Sequence, residues 1–449
     1  MYHPILQAEA QQQLKQIHHA DLVIGLPSYK NPSQAAYVAR MALHGAAVHY
    51  PNLRTVLVNA DAGFDPLTRQ AVLGQALNNG YQAPVISGRY NGPFGRGNAI
   101  AAILDAALAL DAQAIIILDS NSCTLTPNWT AGLAHLLLTD KADLVVPRYQ
   151  WLLPASALSD LFAYPLFRVL WGQSLRHPIA PDFALSPRLA TAMLDEDVWE
   201  TAVSGFGLPA WATTYATLHN WRVAQTALGT KHALVDMPSL VNPLKPGLPI
   251  ANDWPIEALP MLRVSETQIS ETILQSQPTF EGIVSTMFHL IRYHRANWNV
   301  NRRRFRSCST LTEFSTPTLP PLVPNINLTF LLDNLAIGWI EYRRLWKQIL
   351  TPNNMTSLES IASLSPDDFY FPTDLWTRIV YDFIVGFNRS ELDPRQIVKA
   401  LFPIYQGRLA AYWQQVIGLS SIACEGTVSA QAVEFEELRE YLKLRWRTY

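Results

Sequence analysis

Cysteine is nearly missing from this chain: three in 449 residues, Cys123, Cys308 and Cys424. An odd number so widely spaced supports neither a disulfide framework nor a zinc cluster. Net charge is missing as well. Lys and Arg number 34 against 36 Asp and Glu, a formal charge of −2, which argues against nucleic acid or an anionic membrane as a general electrostatic partner. No apolar run reaches the roughly 18 residues of a spanning helix. Asp105 and Asp111 interrupt the best candidate, so no transmembrane segment is expected. The opening stretch MYHPILQAEAQQQLKQIHHA is too polar for a signal peptide. The expected location is therefore cytoplasmic, and the sequons Asn128-Trp129-Thr130 and Asn327-Leu328-Thr329 read as chance matches. Repeats and extended low-complexity tracts are also lacking. What the chain does have is length beyond one ordinary domain and 49% hydrophobic residues, ample for a large core.

The first half alternates apolar β-type runs with helical patterns. DLVIGLPSYKN (21–31) is an apolar run ending in Pro27, Ser28, Tyr29 and Lys30. RTVLVNADAGFDP (54–66) ends in an acidic, glycine-containing turn around Asp61 and Gly63. APVISGRYNGPFGRGNAIAAILDAALAL (83–110) reads as a strand, a Gly-rich loop and a helix over 98–110. AIIILDSNSCTLTPNW (114–129) delivers Asp119 at a strand end, with Asn121 two residues later. Helical patterns run from Ser33 to about Ala46 and from Pro66 to about Leu77, the second with Asp65 as N-cap. Such alternation predicts an α/β fold, a mostly parallel, Rossmann-like sheet with helices on both faces. Every polar turn follows a strand, so all gather on the edge where open sheets bind ligands. A carboxylate there, followed by a second oxygen-bearing side chain, suits a divalent cation held against a phosphate.

Those motifs resemble the family 2-like glycosyltransferases of the GT-A fold. VNADAGFDP is similar to their DDGS-D turn, GRGNA to their GKG-N/D loop, and LDSN to their D-x-D motif. RHPIAPDFALSP (176–187), DVWETAVSGFGLPAW (197–211) and LGTKHA (228–233) resemble the mannosylglycerate and glucosylglycerate synthase group. LWTRIVYDF (375–383) and IYQGR (404–408) resemble that group's C-terminal helices. The resemblance implies a nucleoside-diphosphate sugar as donor and a small hydroxy acid such as glycerate as acceptor, with anomeric configuration retained. It places Pro27, Tyr29, Asp61, Arg96, Gly97, Asn98 and Asp119 on the donor. Asp61 would accept hydrogen bonds from the base or ribose. Arg96, at the start of a helix, would fork onto phosphate oxygens. Asp119, Asn121 and His232 would hold Mg²⁺ or Mn²⁺, His232 matching only after a one-residue deletion. Asp182 would be the catalytic acid.

Three departures bear on activity. Asn121 stands where the second carboxylate belongs, which weakens the cation site or abolishes it. Pro209 occupies the acidic slot of the GID-W segment, here Gly207-Leu208-Pro209-Ala210-Trp211. The GGD loop becomes Ala180-Pro181-Asp182, keeping the acid and losing both glycines. The alternative expectation is thus a catalytically degenerate GT-A scaffold that binds a nucleotide or a partner protein. A nucleotidyltransferase would want a Gly-rich loop after the first strand, and GLPSYKN lacks one. Arg302, Arg303, Arg304 and Arg306, followed by STPTLPPLVPN, suggest a linker over 301–325 between a GT-A-like domain (1–300) and a helical region (326–449). A homo-oligomer is compatible with the sequence, which names neither sugar nor base.

Overall fold

The expected apolar runs are strands. In this computed structural model, which describes residues 3–78, 83–122, 124–151, 156–231, 276–299, 306–307, 309–313 and 327–449, they form an eight-stranded sheet. The strands are β1 (Leu22–Ser28), β2 (Thr55–Asp61), β3 (Val85–Gly88), β4 (Ala114–Ile117), β5 (Leu144–Trp151), β6 (Phe183–Leu185), β7 (Val223–Lys231) and β8 (Ser309–Glu313). Their spatial order is β8-β7-β5-β6-β4-β1-β2-β3. All neighbours pair in parallel except β6, which runs antiparallel to both β4 and β5. Residues of β1, β2 and β4 are buried throughout, as strands covered on both faces must be. This is the α/β class expected from the sequence, joined by a helical C-terminal region.

Helix α1 (Ala8–Ile17) precedes β1, and the helices between the first strands are α2 (Pro32–His49), α3 (Leu67–Asn78), α4 (Arg96–Ala109) and α5 (Pro127–Leu138). Pro32 and Pro127 sit in the first turns of α2 and α5, where a missing N–H costs nothing. Helix α4 begins at Arg96, two residues earlier than the sequence pattern indicates. β1 pairs with β2 on one side and β4 on the other, so the strand order reverses there. The crevice beyond the carboxyl ends of β1 and β4 is the topological switch point, the usual ligand position in an open sheet.

The chain divides into two compact units: Met1–Ala155 with Ile179–Leu262 and Cys308–Pro321, and Ser156–Pro178 with Arg263–Ser307 and Leu322–Tyr449. The chain passes between these units more than once. The expected linker also supplies a strand: Ser309–Glu313 is β8, parallel to β7. Arg302, Arg303 and Arg304 lie outside the described residues. The second unit is built from helices that include Gln277–Tyr293, Leu328–Ile349, Thr373–Arg389, Pro394–Val416 and Ser421–Glu437. Pro403 lies inside one of them, and Gly338 of another packs against its ring; a Cβ at Gly338 would stand 2.3 Å from the Pro403 Cβ. Arg176 there bridges Asp160 and Glu425, each at 2.9 Å. Arg408 of the IYQGR segment is buried against neutral acceptors, among them the Phe371 carbonyl and Gln431 Oε1, and burial lowers its pKa to about 10. No described helix is long and apolar enough to cross a membrane.

Helix α4 is pressed against the backbone of 203–205 with no room for a side chain. A Cβ on Gly97 would lie 1.9 Å from the Val203 carbonyl oxygen. Replacing Gly97 by alanine must therefore move backbone, at a cost of about 1–3 kcal/mol. Gly74, in helix α3, has nothing within 4 Å of such a Cβ. Urea unfolding should show a lowered midpoint for Gly97→Ala and an unchanged or raised one for Gly74→Ala.

Candidate active site

Asp119 follows β4 and lies at the switch point, 8% exposed. Its oxygens are not vacant. Oδ1 accepts the Asn121 N–H at 3.2 Å and stands 3.6 Å from the Arg96 guanidinium. Oδ2 stands 3.2 Å from Nζ of Lys231, the last residue of β7. The same ammonium forms an ion pair with Asp182, the residue before β6. Asp182 Oδ1 accepts the Asp119 backbone N–H at 2.7 Å, and its Oδ2 accepts the Tyr149 hydroxyl as well as Lys231. The Lys231 ammonium lies 5.3 Å from the centre of the Tyr149 ring and 5.9 Å from that of Trp129, within reach of both aromatic faces. Three strand ends and the loop before a fourth thus meet at one buried cluster.

Charge explains why the cluster has this composition. Two carboxylates at about 4 Å repel by ~4 kcal/mol even at an effective dielectric near 20. Lys231 and Arg96 supply two positive charges against two negative ones, so the buried group is neutral. Burial pushes the Asp119 carboxyl up, but Lys231 and Arg96 outweigh it and hold Asp119 below the ordinary 3.8. Burial also lifts the Tyr149 phenol well above its usual value, so it stays protonated and donates to Asp182.

The residues expected to hold a divalent cation do not fit one as arranged. Asn121 Oδ1 accepts a hydrogen bond from Asn31 Nδ2 at 2.8 Å. Asn31 also donates to Ser120 Oγ at 2.8 Å and so ties the turn after β1 to the turn after β4. The Lys231 ammonium is paired with both Asp119 Oδ2 and Asp182 Oδ2. His232 lies outside the described residues. Among the described residues no three His, Cys, Asp or Glu side chains are placed to hold a metal ion.

Other expected site residues are distributed unevenly. Arg96 remains at the cluster's edge, its side chain 15% exposed, with one amino group on the Pro181 carbonyl at 2.7 Å and its Nε unpaired. Tyr29 is 46% exposed and meets Phe94 edge to face at 4.6 Å. Asp61, by contrast, is fully buried at the end of β2. It accepts Ser28 Oγ at 3.2 Å and Arg69 at 2.8 Å, and burial outweighs these contacts to raise its pKa. A nucleotide would have to displace Arg69 to reach it. Gly97 donates its N–H to the Gly205 carbonyl, and buried Asn98 donates to the Pro93 carbonyl, so both hold the loop. Pro27 is a buried strand residue whose carbonyl accepts Ser120 Oγ. Asp182, expected as the catalytic acid, is 0% exposed, with Oδ1 on the Asp119 N–H and Oδ2 on Tyr149 and Lys231. Lys231, Tyr149 and Asn31 were not singled out by sequence; the rule that marks Asp119, a polar residue at the carboxyl end of a parallel strand, also marks Lys231.

No protein-family model and no curated protein matches the chain. Among solved structures, it is similar to glucosyl-3-phosphoglycerate synthase from Mycobacterium tuberculosis in complex with Mn²⁺, UDP and glucosyl-3-phosphoglycerate. That similarity has 16% identity, covers 50% of this chain and 76% of the synthase, and has a TM-score of 0.36. The same synthase with Mn²⁺, UDP-glucose and phosphoglyceric acid gives 15% identity over 62% of this chain and 83% of that one, with a TM-score of 0.38. A structure described only as a mycobacterial protein gives 17%, 53% and 78%, with a TM-score of 0.37.

Lys231→Met keeps the stem and removes the charge, leaving two buried carboxylates facing each other. Breaking such a buried pair costs about 3–5 kcal/mol. The pH dependence gives the sign. In the native chain Asp119 is depressed, so its stabilisation is present above 3.8 and lost as pH falls through its folded value. Without Lys231 the carboxyl is raised, and its penalty is relieved as pH falls. Thermal unfolding should show the gap between variant and native protein narrowing from neutral pH towards pH 5; a constant gap would mean that no charge is involved.

Proposed function

We propose that this chain is a glycosyltransferase of the GT-A type, moving a hexose from a nucleoside diphosphate onto a small hydroxylated, glycerate-like acceptor. The observation that carries this reading is the placement of Arg96. It stands at the N-terminus of α4, beside Asp119 at the switch point, its side chain 15% exposed and its Nη1 3.6 Å from Asp119 Oδ1. Cleaving a sugar–diphosphate bond builds negative charge on the departing oxygen, and a forked cation at a helix N-terminus stabilises it. Tyr29 and Phe94, exposed aromatics on the neighbouring loops, offer a face for the nucleobase.

With Asp182 enclosed, the proton of the acceptor hydroxyl is assigned to the diphosphate itself. The acceptor oxygen bonds to the anomeric carbon as the carbon–oxygen bond to diphosphate breaks, and the leaving oxygen takes the proton. Attack from the face of the leaving group retains configuration. The engagement of both carboxylates also favours a second reading, a scaffold that binds nucleotide and transfers nothing.

Charge-assisted hydrogen bonds contribute about 1.5–3 kcal/mol each, so Arg96→Ala should weaken binding of UDP, GDP or ADP by roughly 10- to 100-fold in calorimetric titration. Transfer is checked by incubating UDP-, GDP- and ADP-hexoses with glycerate and 3-phosphoglycerate and following the glycoside by mass spectrometry. Binding without transfer or donor hydrolysis would select the scaffold. Unchanged affinity in Arg96→Ala would place the nucleotide elsewhere.

A further inference from the structure

We propose that Lys231 is a built-in replacement for the divalent cation, so that this site binds a nucleoside diphosphate without metal. The inference rests on the nucleotide-site reading above and adds a residue to it. Its ground is the donor set. A metal bridging protein and diphosphate needs carboxylate oxygens with lone pairs aimed at one point. Here Asp119 Oδ2 and Asp182 Oδ2 both converge on one atom, and that atom is the Lys231 nitrogen. The amide at 121 cannot restore a negative charge, and its oxygen already accepts from Asn31.

Displacement of the ammonium is opposed on every side. Lys231 is 1% exposed, and the rings of Tyr149 and Trp129 stand close to its charge. Swinging it out would strand a cation among apolar groups while the incoming ion met Arg96 at the opposite edge of Asp119. With Lys231 in place the two acids keep one net negative charge instead of two, so they repel an arriving diphosphate less. That leaves Arg96 to contact the phosphate oxygens. Lys231 touches no substrate and is a positioning residue: it supplies the charge that lets Asp119 and Asp182 sit beneath an anion.

Calorimetric titration of the full chain with UDP, GDP and ADP, in excess EDTA and again in excess MnCl₂, tests this directly. The expected result is the same affinity for the preferred nucleotide in both buffers. Binding that is more than roughly tenfold tighter with Mn²⁺ would overturn the role of Lys231 while leaving the nucleotide site standing. No binding of any of the three in either buffer would overturn the nucleotide site itself, and this inference with it. A second readout separates a substitute cation from a structural lysine. Mn²⁺ alone should raise the melting temperature of Lys231→Met, whose acid pair is left open, and leave that of the native protein unmoved. Stabilisation of the native protein by Mn²⁺ would count against the proposal even if the variant fails to fold.

Discussion

Burying a charge is the constraint around which the first unit is arranged. Each ion taken out of water costs several kcal/mol, and only close pairing with complete hydrogen bonding offsets that cost. The Asp119–Lys231–Asp182 cluster meets the condition because its members come from different strands. Asp119 follows β4, Asp182 precedes β6, Tyr149 lies on β5, and Lys231 ends β7. If β6 slipped by one residue, the Asp182 carboxylate would move away and leave the ammonium with Asp119 alone. The ion cluster and the single antiparallel strand therefore specify each other. Arg96 extends the same logic to α4, whose approach to the backbone at 203–205 is possible only because Gly95 and Gly97 have no side chain.

A second polar network prepares the other half of the switch point. Asn59 on β2 donates to the Leu26 carbonyl and to Ser28 Oγ, both at 2.7 Å, and accepts Ser87 Oγ from β3 at 2.7 Å. Ser28 in turn donates to Asp61, which holds Arg69. β1, β2 and β3 are cross-linked at their carboxyl ends, so loops that would otherwise move are anchored on rigid strands. Lys30, which follows, adopts φ 51°, a conformation uncommon for a lysine, and the preceding Tyr29 is exposed. Both networks stiffen the rim of the crevice, as a preorganised electrostatic site requires.

The strands of the first half were legible because Val, Ile and Leu runs stop at Gly, Asp and Pro turns, and because the alternation with helices admits few topologies. β8 was not: Ser-Thr-Leu-Thr-Glu has too little apolar content to stand out beside an arginine cluster and a proline run. The position of Asp119 was legible from its strand end. The availability of Asp61 and Asp182 was not, because a carboxylate looks alike in sequence whether it faces solvent or a buried cation. Lys231 was hidden for the complementary reason. A lysine ending a strand resembles a solvated surface residue until the fold brings to it an acid 49 positions away. Residue type and local pattern locate the edge of the sheet; which charges cancel there is decided by strand order.

A fixed ammonium and a divalent cation would not serve the proposed chemistry equally. A metal touches phosphate oxygens directly and follows the charge as it develops, whereas the Lys231 nitrogen is buried behind its own carboxylates. Only groups whose contact strengthens in the transition state raise the rate. Under the proposed function that role falls to Arg96, with the helix N-terminus behind it, and Lys231 would contribute equally to ground and transition states. The exchange favours a site that binds diphosphate in any metal environment over one that cleaves its bond quickly. It also accounts for the tolerance of Asn121, since a second carboxylate at that position would give a neutral cluster one negative charge too many.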